Sequence, residues 1–182
     1  NGLLQHEKNI ELRHKLQNQK LTPKEFYRQL LRLIYRLLFL MVTEERDLIY
    51  DPDDKSDEIT QKRRIYFEFY SIIRLRRLTR LRYLYESKFN DLWQGLMATL
   101  SLFEENGGGM KLGIQPLAGE LFSTSSIKDL SECLVNNSLL LQSIRKLNEF
   151  EDENRNLVSI NYRALDVEEL GSVYEGLLEL HP

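Results

Sequence analysis

Thr22-Pro23-Lys24-Glu25-Phe26-Tyr27-Arg28-Gln29-Leu30-Leu31-Arg32-Leu33-Ile34-Tyr35-Arg36-Leu37-Leu38-Phe39-Leu40-Met41 is the stretch whose reading decides the fold class. Thr22 can accept from the free amides of a first helical turn, and Pro23 takes the position where a missing N–H costs nothing. Glu25, three residues on from Thr22, completes a capping box. Phe26, Leu30, Leu33, Ile34, Leu37, Leu38 and Met41 then recur at helical spacing and make a wide apolar face. The pattern predicts a helix running to about Asp47. Lys24, Arg28, Arg32 and Arg36 stand four apart and are expected on one face of the same helix. Two readings of this cationic row stand: a solvated face with Glu25 as its neighbour, or a face that contacts phosphates.

Outward from this helix the chain keeps the same character. Asp51 to Glu58 is a polar break whose carboxylates lack the central glycine and closing glutamate of a calcium loop. Ile59 to about Ser87 has no proline or glycine and predicts one long helix. Its apolar residues Ile65, Tyr66, Phe67, Phe69, Tyr70, Ile72 and Ile73 surround the axis, which suits burial on most sides. Arg74, Arg76, Arg77, Arg80 and Arg82 follow, interleaved with tyrosines. Such a run can hold a phosphate backbone, or it can form ion pairs with the acidic last third while its alkyl stems cover apolar surface. Arg76, Arg77 and Arg80 join Lys24, Arg28, Arg32 and Arg36 as candidate DNA-backbone contacts.

Asn90 is placed to cap the next helix, which buries Leu92, Trp93, Leu96, Met97, Leu100 and Phe103 and ends at Gly107-Gly108-Gly109. No strand precedes these glycines and no Gly-Lys-Ser/Thr follows, so they read as a turn. Residues 112–122 form an irregular apolar connector. Ile127 to Leu134 is a short helix, and Asn137 opens another that carries Leu140, Leu141, Ile144 and Leu147 inward. Glu149 to Asn156 reads as an exposed acidic loop, and Leu157 to Tyr162 can form a short strand. Asp166 and Glu169 make a capping box for a last helix with Val167, Leu170, Val173, Tyr174, Leu177 and Leu178 on one stripe. The expected fold class is all-α: an irregular multi-helix domain with long helices and at most one short β segment. Residues 1–20 read as a lead-in, suited to the tail of an upstream module, and 21–182 as the helical domain.

Composition narrows the setting. The chain has 182 residues, 42% hydrophobic and 29% charged, which suits a folded domain with a core of its own. A single cysteine, Cys133, forbids an intramolecular disulfide and points to a reducing, cytoplasmic setting. The longest apolar run, Leu37 to Val42, is far short of the ~20 residues that span a bilayer, so no membrane partner is expected. The net charge of -3 offers nucleic acid no general attraction; basic residues crowd the first half and acidic ones the last third. His6, His14 and His181 share no ligand spacing with Cys133, so no metal site is expected. No Gly-x-Ser-x-Gly elbow occurs, and no catalytic or cofactor-binding residue can be assigned.

Three stretches resemble the helical region of type IIG restriction-modification enzymes and adenine-specific DNA methyltransferases. Phe26 through Leu40 with Glu44-Glu45-Arg46-Asp47 resembles its first long helix. Tyr70 to Leu78 followed by Asp91 to Leu96 is similar to its middle, and Asn161 to Leu178 to its end. Leu170-Gly171-Ser172-Val173-Tyr174-Glu175-Gly176-Leu177-Leu178-Glu179 is the most specific part. The resemblance implies a non-catalytic connector that joins an N-terminal module to a methylase domain expected after residue 182. The parent would bind S-adenosylmethionine and methylate adenine in DNA. Neither the glycine-rich donor turn nor the Asn/Asp-Pro-Pro-aromatic segment of such enzymes is present here. The other reading is a free-standing helical protein-interaction module unrelated to DNA.

Overall fold

The long apolar helix forms as its sequence requires and becomes the axis of the molecule. In the computed structural model, which describes residues 2–86 and 88–179, helix α3 spans Pro23–Glu45. The side chains of Glu86, Val167, Tyr174 and residues 177–179 also lie outside the description. Thr22 Oγ1 accepts from the Glu25 amide at 3.1 Å. Glu25 does not complete the expected box, because its carboxylate pairs with Arg28 and Arg32 instead. Leu31, Leu33, Leu37, Leu38, Leu40, Met41 and Val42 are buried along α3, and Leu40 and Met41 are wholly enclosed.

Before α3, helices α1 (Gly2–Gln5) and α2 (Ile10–Gln17) form a small satellite core in which Leu12 meets Leu21 and Cys133. Asn9 fastens them: its Nδ2 donates to Leu3 O and Leu134 O, and its Oδ1 accepts from the Leu134 amide at 2.8 Å. Residues 2–20 thus pack onto the same body as α3.

The long helix expected from Ile59 to Ser87 does not form. Helix α4 (Asp57–Ile65), capped by Ser56, passes into a π-helical turn at Tyr66–Tyr70 and stops. Ser71 leaves helical geometry, with φ −60° and ψ 149°, and its Oγ caps a new helix, α5 (Ile72–Leu78). Glu44, from the end of α3, accepts from the amides of Ile72 and Ile73, both at 2.8 Å. A buried carboxylate thus satisfies the first amides of α5, and this is why the break lies at Ser71. Residues Arg82–Glu86 continue as 3₁₀ helix. Phe69, expected among the buried residues, is 58% exposed.

Helix α6 (Asp91–Ser101) buries Leu92, Trp93, Leu96 and Leu100. Its cap is not Asn90, which makes no capping hydrogen bond, but Asn137, whose Oδ1 accepts from the Leu92 amide at 3.1 Å. Asn137 is the first residue of α8 (Asn137–Asn148), so one side chain closes the start of α6 from the start of another helix. Its Nδ2 donates to Asp91 at 2.8 Å, completing the exchange. α6 ends at Ser101, before the glycines; a Cβ on Gly107 would lie 1.4 Å from Ser101 O, so no other residue fits that turn. The connector that follows is irregular as expected, with 3₁₀ turns at Gly109–Leu112, Glu120–Phe122 and Thr124–Ile127 leading into α7 (Lys128–Ser131). Ile114, Phe122 and Ile127 anchor it in the core.

The expected acidic loop is in part a strand: β1 (Glu149–Glu151) pairs antiparallel with β2 (Leu157–Ser159), Phe150 opposite Val158. The fold is therefore all-α with one two-stranded sheet among the described residues. Helix α9 (Val167–Glu179) closes the chain against α3. Its capping box is reciprocal, the Glu169 amide donating to Asp166 at 2.7 Å and the Asp166 amide to Glu169 at 2.9 Å. Leu170 is buried, whereas Val173 is 38% exposed and off the expected stripe. The packing expected of Val167, Tyr174, Leu177 and Leu178 falls outside the described residues.

Candidate nucleic-acid interface

The cationic row of α3 does not stay on one face. Four residues advance a helix by about 400°, so each step turns the row by about 40° and Arg36 lies about 120° around the axis from Lys24. Lys24 is exposed and Arg28 is 47% exposed in a 2.9 Å pair with Glu25. Arg32, 17% exposed, is held between Glu25 and Glu120. Arg36 is completely buried. Residues 120–127 fold over it, and carbonyls of this irregular segment take its donors. Nε donates to Leu121 O and Nη2 to Ser123 O, both at 2.7 Å, and Nη2 reaches Ser126 Oγ at 2.8 Å. Nη1 meets Glu104 at 3.0 Å, and the guanidinium lies 5.2 Å from the centre of the Phe122 ring. Burial pulls its pKa below the ordinary arginine value while Glu104 opposes the shift. Four of its five donors are used inside the fold, and its complete burial closes the guanidinium to a phosphate. The signal in the sequence was its setting, Leu33-Ile34-Tyr35-Arg36-Leu37-Leu38, an arginine inside an unbroken apolar run.

Arg76 is likewise internal. It pairs with Glu45, donates to Asn148 Oδ1 and Ile160 O, and lies 5.2 Å from the centre of the Tyr162 ring. The ion pair expected between the arginine run and the acidic last third is not what forms: the carboxylate is Glu45 at the end of α3, and the last third supplies only an amide oxygen, a carbonyl and a ring. Arg77 and Arg80 are exposed, and among the described residues neither meets a carboxylate. Of the seven candidate backbone contacts, Lys24, Arg77 and Arg80 remain open to solvent, Arg28 and Arg32 are tied by ion pairs, and Arg36 and Arg76 are structural.

Sequence reasoning missed the junction at the end of α3, where successive side chains each bind a different segment. Glu44 takes Tyr66 OH at 2.6 Å in addition to the α5 amides. Burial pushes its carboxyl up to about 7, against the pull of these three donors and of Arg76. Glu45 joins Arg76 and also accepts from the Arg163 amide at 3.0 Å. Arg46 donates to the carbonyls of Arg163 and Leu165. Asp47, at a left-handed φ of 60°, pairs with Arg63. The chain leading into α9 is therefore held by its backbone.

Chemistry is sparse elsewhere. Among the described residues no cluster of His, Cys, Asp and Glu could hold a metal ion, and no helix is long and apolar enough to cross a membrane. A cleft of about 430 Å³ runs beside the start of α3, between Lys15, Lys20, Lys128 and the carboxylates of Glu25, Asp129 and Glu132. Its charges cancel, and Asp129 is already bound by Lys15 at 2.9 Å and by Gln29 at 2.8 Å. Among the described residues neither strand leads into a glycine turn. No protein-family model, curated protein or solved structure matches the chain.

Proposed function

We propose that this chain is a non-catalytic helical connector of a bacterial DNA adenine methyltransferase or type II restriction-modification enzyme. It joins an N-terminal module to the methylase domain. The observation that carries the reading is the convergence of the three stretches that resemble that family. Glu44 to Asp47, Tyr70 to Leu78 and Asn161 onward lie far apart in sequence yet meet in one hydrogen-bonded junction. A helix that leaves a fixed backbone through a reciprocal capping box starts in a defined direction, as a connector needs. The parent enzyme would supply the methyl donor site and take adenine out of the stack, since a stacked base cannot reach the donor.

A second reading, a free-standing protein-interaction module, is favoured by the β1–β2 hairpin. Phe150 is 51% exposed, Leu157 58% and Val158 37%. One experiment separates the two. The coding sequence is followed beyond codon 182, and its full product is incubated with tritiated S-adenosylmethionine and unmodified DNA. Label recovered as N6-methyladenine supports the first reading. A stop after codon 182, or a full product that transfers no label, overturns it.

A further inference from the structure

We propose that the surface running from Arg77 to Asn90 binds single-stranded nucleic acid. Several half-exposed arginines of this protein are paired: Arg28 with Glu25, Arg63 with Asp47 and Arg145 with Glu149. Arg64, Arg155 and Arg163 are exposed singly without a carboxylate among the described residues; Arg77, Arg80 and Arg82 share that state within six residues of chain. Between Arg77 and Lys88 stand four cations and one acid, Glu86, in a chain whose net charge is -3. Only a locally concentrated positive field can attract a polyanion here.

The same segment exposes rings. Tyr83 is 70% and Phe89 76% exposed, while Leu84 and Tyr85 turn inward and pack on the core. Tyr85 OH donates to Thr79 O at 2.7 Å, which pins the segment and leaves Arg82 and Tyr83 facing out from a fixed base. Lys88 and Asn90, on either side of Phe89, line a cleft of about 380 Å³ with Gln5, Lys8 and Asn136, and Glu7 is its one carboxylate. Arginines spaced along an exposed segment match successive phosphates. Exposed rings match bases only where those bases are unpaired, because a duplex hides their faces. The amides of Gln5, Asn90 and Asn136 add donors and acceptors that a base edge can meet. A duplex would use the arginines and leave both rings in water; a single strand uses both.

This deepens the reading above by naming the surface and the form of DNA, and its test is separate from methyl transfer. Fluorescence anisotropy is followed with a labelled oligothymidylate and a hairpin duplex, between about 50 and 200 mM salt. The oligothymidylate is expected to bind the tighter of the two. Combining Arg77→Ala, Arg80→Ala and Arg82→Ala should weaken it at least tenfold and flatten the log–log salt slope by about two. Tyr83→Ala, which leaves every charge in place, should weaken it about tenfold, and Tyr83→Trp should restore it. Lys24→Ala with Arg28→Ala should change nothing. Absence of oligothymidylate binding, preference for the duplex, equal loss in the α3 double variant or a neutral Tyr83→Ala would each overturn the proposal. Polyglutamate bound as tightly as the oligonucleotide would assign the surface to an acidic peptide instead. Methyl transfer without oligonucleotide binding defeats this inference alone; binding without methyl transfer defeats only the connector reading.

Discussion

Replacing Arg36 by methionine tests whether the row on α3 is structural. Methionine keeps much of the buried alkyl volume, so the change removes the guanidinium rather than opening a large cavity. Ser126 Oγ still donates to Leu121 O at 2.9 Å after the substitution, and Glu104 keeps Thr124 Oγ1 at 2.9 Å. Ser123 O keeps the Ser126 amide at 3.0 Å, whereas Glu104, 13% exposed, loses its counter-charge. Removing one member of a buried ion pair costs about 3–5 kcal/mol in all. For a domain of this size each kcal/mol moves the melting temperature by about 2–4 °C, so a drop of roughly 10 °C is expected. Arg28→Met, at an exposed pair worth well under about 1 kcal/mol, is the control. Differential scanning calorimetry reads both. If Arg36→Met melts within about two degrees of the parent chain, the assignment of Arg36 as the clamp on residues 120–127 is wrong.

Glu44 makes stability depend on pH in an unusual direction. Its folded pKa of about 7 lies above its ordinary value of 4.5, so its contribution is whole below about 4.5 and is lost as pH rises through about 7. The span corresponds to roughly 3 kcal/mol. Urea titrations at pH 5 and pH 7.5 should show that dependence in the parent and its loss in Glu44→Gln; an unchanged difference between the two pH values in the variant would refute the assignment. Asn137→Ala leaves the Leu92 amide without its cap and should cost about 1–2 kcal/mol by chemical denaturation. Asn90→Ala should be close to neutral, and the reverse ranking would restore the cap to Asn90. Asp166→Ala removes one half of an exposed capping box, about 1 kcal/mol, and should be read as faster amide exchange at Glu169 with little change in the global melt.

Helices with their own signals were legible. The cap at Thr22, the box at Asp166 and Glu169, and the apolar faces of α3, α6 and α8 rest on residues within one or two turns of each other, which periodicity reads directly. The break at Ser71 was not, because what ends the helix is Glu44, which takes the Ile72 amide from 28 residues away. The same holds for Asn137, which suits a cap at its own helix and serves another 45 residues earlier. β1 was hidden because Glu149 and Glu151 are poor strand formers and only pairing with Ser159 and Leu157 fixes them there. At the candidate site, the open arginines at 77 and 80 look in sequence just like the closed one at 76, whereas Arg36 is marked by its apolar run. Charge type is local, but burial is decided by which distant segment folds over it.

Helix α3 also works as a gauge. Arg36 holds residues 120–127 at one level, and Glu44 holds the α5 amides eight residues further on, about 12 Å along the axis and roughly 80° around it. Both separations are set by residue number alone. Inserting one alanine between Leu38 and Val42 would preserve helix propensity and composition. It would also swing the whole Glu44-Glu45-Arg46-Asp47 group by about 100° relative to Arg36. No neighbour could follow such a turn without releasing α5, Arg63 or the Arg163 backbone. The count of residues between the two fastenings is therefore constrained more tightly than the identity of most of those residues, and homologues of this chain should vary in side chains across 37–43 long before they vary in length.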